Sequence, residues 1–114
     1  MLRSEVWLIN LDPTIGAEIR KIRPVVIVND NSVGKLPLKV VVPVTDWKEP
    51  YAFVRWMVRI DPDNQNGLSK ISAVDTFQVR SVSQERFIQQ LGRLSEERMQ
   101  AVTRALAFVL NITS

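Results

Sequence analysis

The sequence contains no cysteine and no histidine. Without cysteine there is no disulfide, no thiolate nucleophile and no zinc site built on thiolate. Without histidine the chain lacks the side chain most used for metal ligation in small hydrolases and for proton transfer near neutral pH. An enzyme of this composition moves protons with Asp, Glu, Lys, Arg, Thr, Ser, Tyr or water, and the expectation is that it uses no metal and no cofactor. Long apolar runs are also missing. None approaches the roughly 20 residues that cross a bilayer, and Glu5 interrupts the first apolar stretch, where a signal peptide would need continuity. The expectation is therefore a soluble, cytoplasmic protein with no membrane partner. Neither sign of charge dominates: 15 Lys and Arg against 12 Asp and Glu leave a net charge of +3. That excess suits a nucleic acid or an acidic protein as partner. It suits many proteins that bind neither.

What is present is enough for one folded domain, residues 1–114, because 46% of the residues are hydrophobic. Residues 5–11 read as a strand that is mostly apolar on both faces, so both faces are expected to be covered. Residues 24–29 and 38–44 read as further strands, with Pro43 marking an edge or a bulge. Residues 53–60 alternate cleanly, and residues 71–82 and 87–94 complete the strand regions. Ser83 opens a short helical turn ahead of Arg86. The one full helix comes last, with Ser95 as N-cap, Glu96 and Glu97 in its first turn, and an apolar stripe of Met99, Val102, Leu106 and Val109. Short strands followed by one helix predict a mainly β (α+β) fold, a small and strongly curved antiparallel sheet or barrel.

Few residues are left to carry chemistry. Arg23 stands at the entrance to the second strand, and Pro24 stiffens the backbone that holds it. Thr45 ends the third strand with a hydroxyl on a side chain restricted at χ1. The two meet if their strands are neighbours, which periodicity does not decide. Taken singly, each has an ordinary reading, Arg23 as a solvated charge and Thr45 as a β-former. Glu18 lies in a charge run where surface ion pairing is the commoner role.

Longer segments point further. Glu5-Val-Trp-Leu-Ile-Asn-Leu-Asp-Pro-Thr-Ile-Gly-Ala-Glu18, followed by Lys21-Ile-Arg-Pro-Val-Val-Ile-Val28, resembles the opening of the MazF/PemK/Kid family of toxin endoribonucleases. The resemblance continues through Val42-Pro-Val-Thr-Asp46, Phe77-Gln-Val-Arg-Ser-Val82 and Leu91-Gly-Arg-Leu94, in family order and across nearly the whole chain. It implies an SH3-like antiparallel barrel with a C-terminal helix, acting as a homodimer. It also implies metal-independent cleavage of single-stranded RNA at short specific sequences, leaving a 2′,3′-cyclic phosphate and a 5′-hydroxyl. The implied partners are RNA and a cognate antitoxin whose acidic, initially disordered tail fills the RNA groove.

Carried onto this sequence, the resemblance makes Arg23 and Thr45 the catalytic pair, with Glu18 the candidate base. Arg20 and Lys21 serve the RNA backbone, Asp46 belongs to the RNA-binding set, and Gln78 is a candidate for reading a base edge. Trp47 either stacks on an unpaired base or lids the core. Trp7 and Trp56 are assigned to the core or the dimer contact. Two positions depart from the family pattern: Ala17 replaces a common serine, and Phe77 stands where an acid is frequent. Asp75, two residues earlier and so on the same strand face, is expected to supply that carboxylate. Two rival readings share the fold: a gyrase-poisoning toxin of the CcdB type, and an inactive SH3-like nucleic-acid-binding module.

Overall fold

A computed structural model describes residues 1–11, 22–33 and 36–113 of the chain. Glu18, Arg20, Lys21 and Ala17 lie outside the described residues. The strands are β1 (Glu5–Asn10), β2 (Ile22–Ile27), β3 (Leu38–Asp46), β4 (Met57–Ile60), β5 (Ser72–Asp75), β6 (Arg80–Ser83) and β7 (Phe87–Arg93), and the helix α1 is Glu96–Val109. They build one antiparallel sheet in the order β4-β5-β3-β2-β1-β7, with β6 also paired to β3. The mainly β architecture with a C-terminal helix is the one expected. No helix among the described residues is long and apolar enough to cross a membrane.

Both sheet faces are covered, as the doubly apolar strands predicted. Val26, Val28, Val42 and Val44 pack on one face with Met99, Val102 and Ala105 of α1. Their neighbours in sequence, Val25, Ile27 and Val41, point the other way and cluster with Ile9, Leu11 and Val82. Each such fully buried aliphatic side chain contributes roughly 1.5–3 kcal/mol over its exposed state. Ser95 caps α1 as expected, its Oγ accepting from the Arg98 N–H at 3.2 Å.

Pro43 lies inside β3, an interior strand. One edge of β3 pairs with β6 through Val41 and with β5 from Val44, so Pro43 falls at the handover. A residue without an N–H is tolerated there because on that edge Pro43 has no strand partner.

Two expected strands are shorter than their alternation suggested. Phe53 closes a 3-10 turn spanning Glu49–Phe53 and is 91% exposed, so β4 starts only at Met57. The region 71–82 is two strands, because a 3-10 turn over Thr76–Gln78 separates β5 from β6. Asp75 caps that turn by accepting from the Phe77 N–H at 3.1 Å. The strand-face argument that placed Asp75 beside Phe77 therefore fails, since Phe77 is not in a strand. Ser83 does open a short helical turn, accepting from the Glu85 N–H at 3.2 Å.

Glu5 shows why an acid is tolerated at the start of β1. Burial raises its pKa, but hydrogen bonds from Trp7 Nε1 (2.9 Å) and the Leu2 N–H (3.0 Å), with the Arg93 charge, outweigh burial and hold it below its ordinary value. A depressed folded-state pKa adds stability that is full above the unfolded value and lost as pH falls through the folded one. Glu5→Gln should therefore cost about 1 kcal/mol at pH 7 and less at pH 3, read from urea midpoints at both pH values. An equal loss at both would show that the carboxylate charge contributes nothing.

Candidate active site

The site starts from the register of two strands. Val25 pairs with Pro43 and Ile27 with Val41, so the same register carried two residues further sets Arg23 opposite Thr45. On the other side of β2, Arg23 pairs with Ile9 of β1. Arg23 and Thr45 thus share one sheet face at the end of the β2–β3 ladder. Both are half-buried and line a cleft of about 190 Å³ with Asp46, Ser69, Lys70 and Ser72. The juxtaposition that periodicity left open is therefore present.

Arg23 Nε is buried and meets no hydrogen-bond acceptor among the described residues. A buried guanidinium nitrogen without an acceptor costs stability, on the order of 1–3 kcal/mol for a polar group. A guanidinium stays protonated and offers a planar fork of donors suited to phosphate. The arrangement is that of a donor set held ready for an anion. Among the described residues, no three of Asp and Glu stand together as a metal site.

The far wall of the cleft was not legible as a site in the sequence. The turn between β4 and β5 brings Gly67, Leu68, Ser69 and Lys70 to it. Asn66, fully buried, shapes this turn: its Oδ1 accepts from the Leu68 N–H at 3.0 Å and its Nδ2 donates to the Asp61 carbonyl at 2.9 Å. Gly67 sits at φ +71°, where a Cβ would stand 2.1 Å from the Leu91 carbonyl oxygen. The only advance signal was this glycine in the turn and Gly92 in β7, whose partnership becomes visible only in the folded chain.

Asp46 is engaged with Lys70, whose Nζ lies 3.1 Å from its Oδ1. Gln78 and Asp75 come together, Gln78 Nε2 donating to Asp75 Oδ2 at 2.9 Å. Gln78 lines a second cleft of about 410 Å³ with Val25, Pro43, Phe77 and Arg80. Val25 and Pro43, which line this second cleft, stand two residues along β2 and β3 from Arg23 and Thr45. Trp47 is half-buried, edge-on to Tyr51 with ring centroids 5.9 Å apart, and the Arg59 guanidinium lies 5.6 Å from its ring centre. Trp7 belongs to the second apolar cluster, edge-on to Phe87 at 5.6 Å, and Trp56 packs edge-on to Phe77 at 5.3 Å.

Residues 2–110 match the model of the PemK-like, MazF-like toxins of type II toxin–antitoxin systems. The chain belongs to that family. The toxin is 29% identical to Endoribonuclease MazF9 of Mycobacterium tuberculosis, over 100% of this chain and 99% of that protein. It is 30% identical to Endoribonuclease MazF of Staphylococcus saprophyticus, over 98% of this chain and 92% of that one. Its fold matches the crystal structure of MazF from Deinococcus radiodurans with a TM-score of 0.81 at 21% identity, over 98% of this chain and 97% of that chain. A mycobacterial endoribonuclease in complex with its cognate antitoxin matches with a TM-score of 0.79 at 19% identity, covering 100% and 98%.

Proposed function

We propose that this MazF-family toxin cuts single-stranded RNA in the Arg23–Thr45 cleft without a metal, using the RNA's own 2′-hydroxyl as nucleophile. The 2′-oxygen attacks the adjacent phosphorus, the bond from phosphorus to the 5′-oxygen breaks, and the products are a 2′,3′-cyclic phosphate and a 5′-hydroxyl. The proton lost from the 2′-hydroxyl goes to a base, for which Glu18 is the candidate, and the departing 5′-oxygen gains one from solvent while Arg23, still protonated, donates hydrogen bonds to the phosphate. The protein supplies no nucleophile, which fits a chain without cysteine or histidine. What it supplies is preorganised positive charge and donors where charge grows on phosphate oxygens.

The observation that carries this reading is the buried Arg23 Nε, unpartnered among the described residues and lining one cleft with Thr45. The second cleft, with the Gln78 amide held by Asp75, is where a base would be read. Arg20 and Lys21 are proposed for the RNA backbone and Trp47 for base stacking, in competition with Arg59. The relatives named above are endoribonucleases, which favours this reading over a gyrase poison. The toxin is further proposed to act in the cytoplasm as a homodimer, restrained by an antitoxin with an acidic tail.

The experiment is incubation of the purified protein with a long single-stranded RNA in EDTA, with cuts mapped by primer extension. Cleavage at a recurring short sequence supports the proposal. Bound but intact RNA would favour the binding-module reading.

A further inference from the structure

The cleft holds a second cation. Lys70 Nζ lies 3.1 Å and 3.2 Å from the two carboxylate oxygens of Asp46, and the side chains are 66% and 54% exposed. Asp46 is the one acid among the cleft's described lining residues, which also include two cations, Arg23 and Lys70. Pairing with Asp46 neutralises Lys70 and leaves one net positive charge among the cleft's described lining residues.

An exposed ion pair of this kind contributes roughly 0–1 kcal/mol. A phosphate therefore competes for the ammonium with little to overcome. The backbone beneath it is fixed: Ser72 Oγ donates to the Lys70 carbonyl at 2.8 Å, the Trp47 N–H donates to the Ile71 carbonyl at 3.1 Å, and Ser72 pairs with Asp46 across β5 and β3. A mobile ammonium thus swings from an anchored backbone within the cleft that holds Arg23 and Thr45. Arg23 lies on a stiff strand and Lys70 on a flexible stem, a fixed fork and a movable point charge.

We infer that Lys70 binds RNA phosphate in this cleft and that Asp46 is its resting counter-ion, released when RNA enters. This rests on the RNA-cleavage reading above. Asp46 then acts as an internal stand-in for phosphate, so removing its charge favours RNA while removing the Lys70 charge opposes it.

Equilibrium binding of a fully 2′-O-methylated RNA oligonucleotide of the cut sequence, measured across salt concentrations, tests this with Lys70→Met, Lys70→Arg and Asp46→Asn. Lys70→Met should weaken binding by roughly 5- to 20-fold and reduce the log–log salt slope by about 0.7, one phosphate contact on a single strand. Lys70→Arg should restore most of the affinity, and Asp46→Asn should tighten binding by roughly 3- to 10-fold. A pair that only supports the fold would move both substitutions the same way. That result, or wild-type affinity and slope for Lys70→Met, would overturn the assignment. If the wild type cuts RNA and Arg23→Ala does not, such a result removes Lys70 alone. If the wild type neither binds nor cuts RNA, the cleavage reading falls and takes Lys70 with it.

Discussion

Arg23→Ala should lower the rate of RNA cleavage by about a thousandfold and melt no lower than the wild type. The first half follows from the cost of removing one preorganised donor from a developing oxyanion, roughly 10²- to 10³-fold, together with loss of the cleft's fixed positive charge. The second half follows from the state of the guanidinium. Its Nε is buried with no acceptor among the described residues, so truncation relieves an unsatisfied polar group. Residues kept for a site against the interest of stability behave this way. Thr45→Ala removes one uncharged donor and should cost roughly 10²-fold in cleavage rate. Single-turnover cleavage and a melting curve on the same preparations check both. An Arg23→Ala protein that loses activity only because it melts several degrees lower would contradict the account.

Gly92→Ala should destabilise the fold by roughly 2–4 kcal/mol and lower cleavage at temperatures where the protein remains folded. A Cβ on Gly92 would stand 2.1 Å from the Gln65 carbonyl oxygen and 2.7 Å from the Asn66 carbonyl carbon. Both obstacles are backbone, so no rotamer change relieves them. Gly67 makes the reciprocal approach to the Leu91 backbone, and the Arg93 N–H donates to the Gln65 carbonyl at 2.9 Å between them. These contacts clamp the β4–β5 turn onto β7 and set Ser69 and Lys70 at the cleft. Moving the turn therefore disturbs the site as well as the fold. Urea denaturation and RNA cleavage at low temperature separate the two effects. A Gly92→Ala protein of wild-type stability would show that the turn yields without cost.

The parts of the fold carried by local chemistry were legible in the sequence. Ser95 and the Met99 and Val102 stripe announce α1, and the doubly apolar runs of β1 to β3 announce a sheet covered on both faces. The alternation from Phe53 to Ile60 misled, because a side chain's period says nothing about where the backbone enters the strand. The 3-10 turn with Pro50 comes first, and β4 starts only at Met57. The break after β5 is made by one side chain, Asp75, capping three residues, a signal too short for periodicity. The site divides the same way. Arg23 and Thr45 stood out through a family resemblance, and the pairing of β2 with β3 brings both to one cleft. Lys70 stands in a turn, and only the packing of Gly67 and Gly92 against facing backbone carries it to the cleft.

On the proposed mechanism the cleft activates the substrate's own 2′-hydroxyl with no metal. The most direct measurement compares, in EDTA, an RNA oligonucleotide containing the mapped cut sequence with the same oligonucleotide carrying a single 2′-deoxyribose at the cut. The first should be cleaved, leaving a 2′,3′-cyclic phosphate and a 5′-hydroxyl, and the second should stay intact. Cleavage of the deoxy-substituted strand at the same bond would show an external nucleophile and contradict that mechanism.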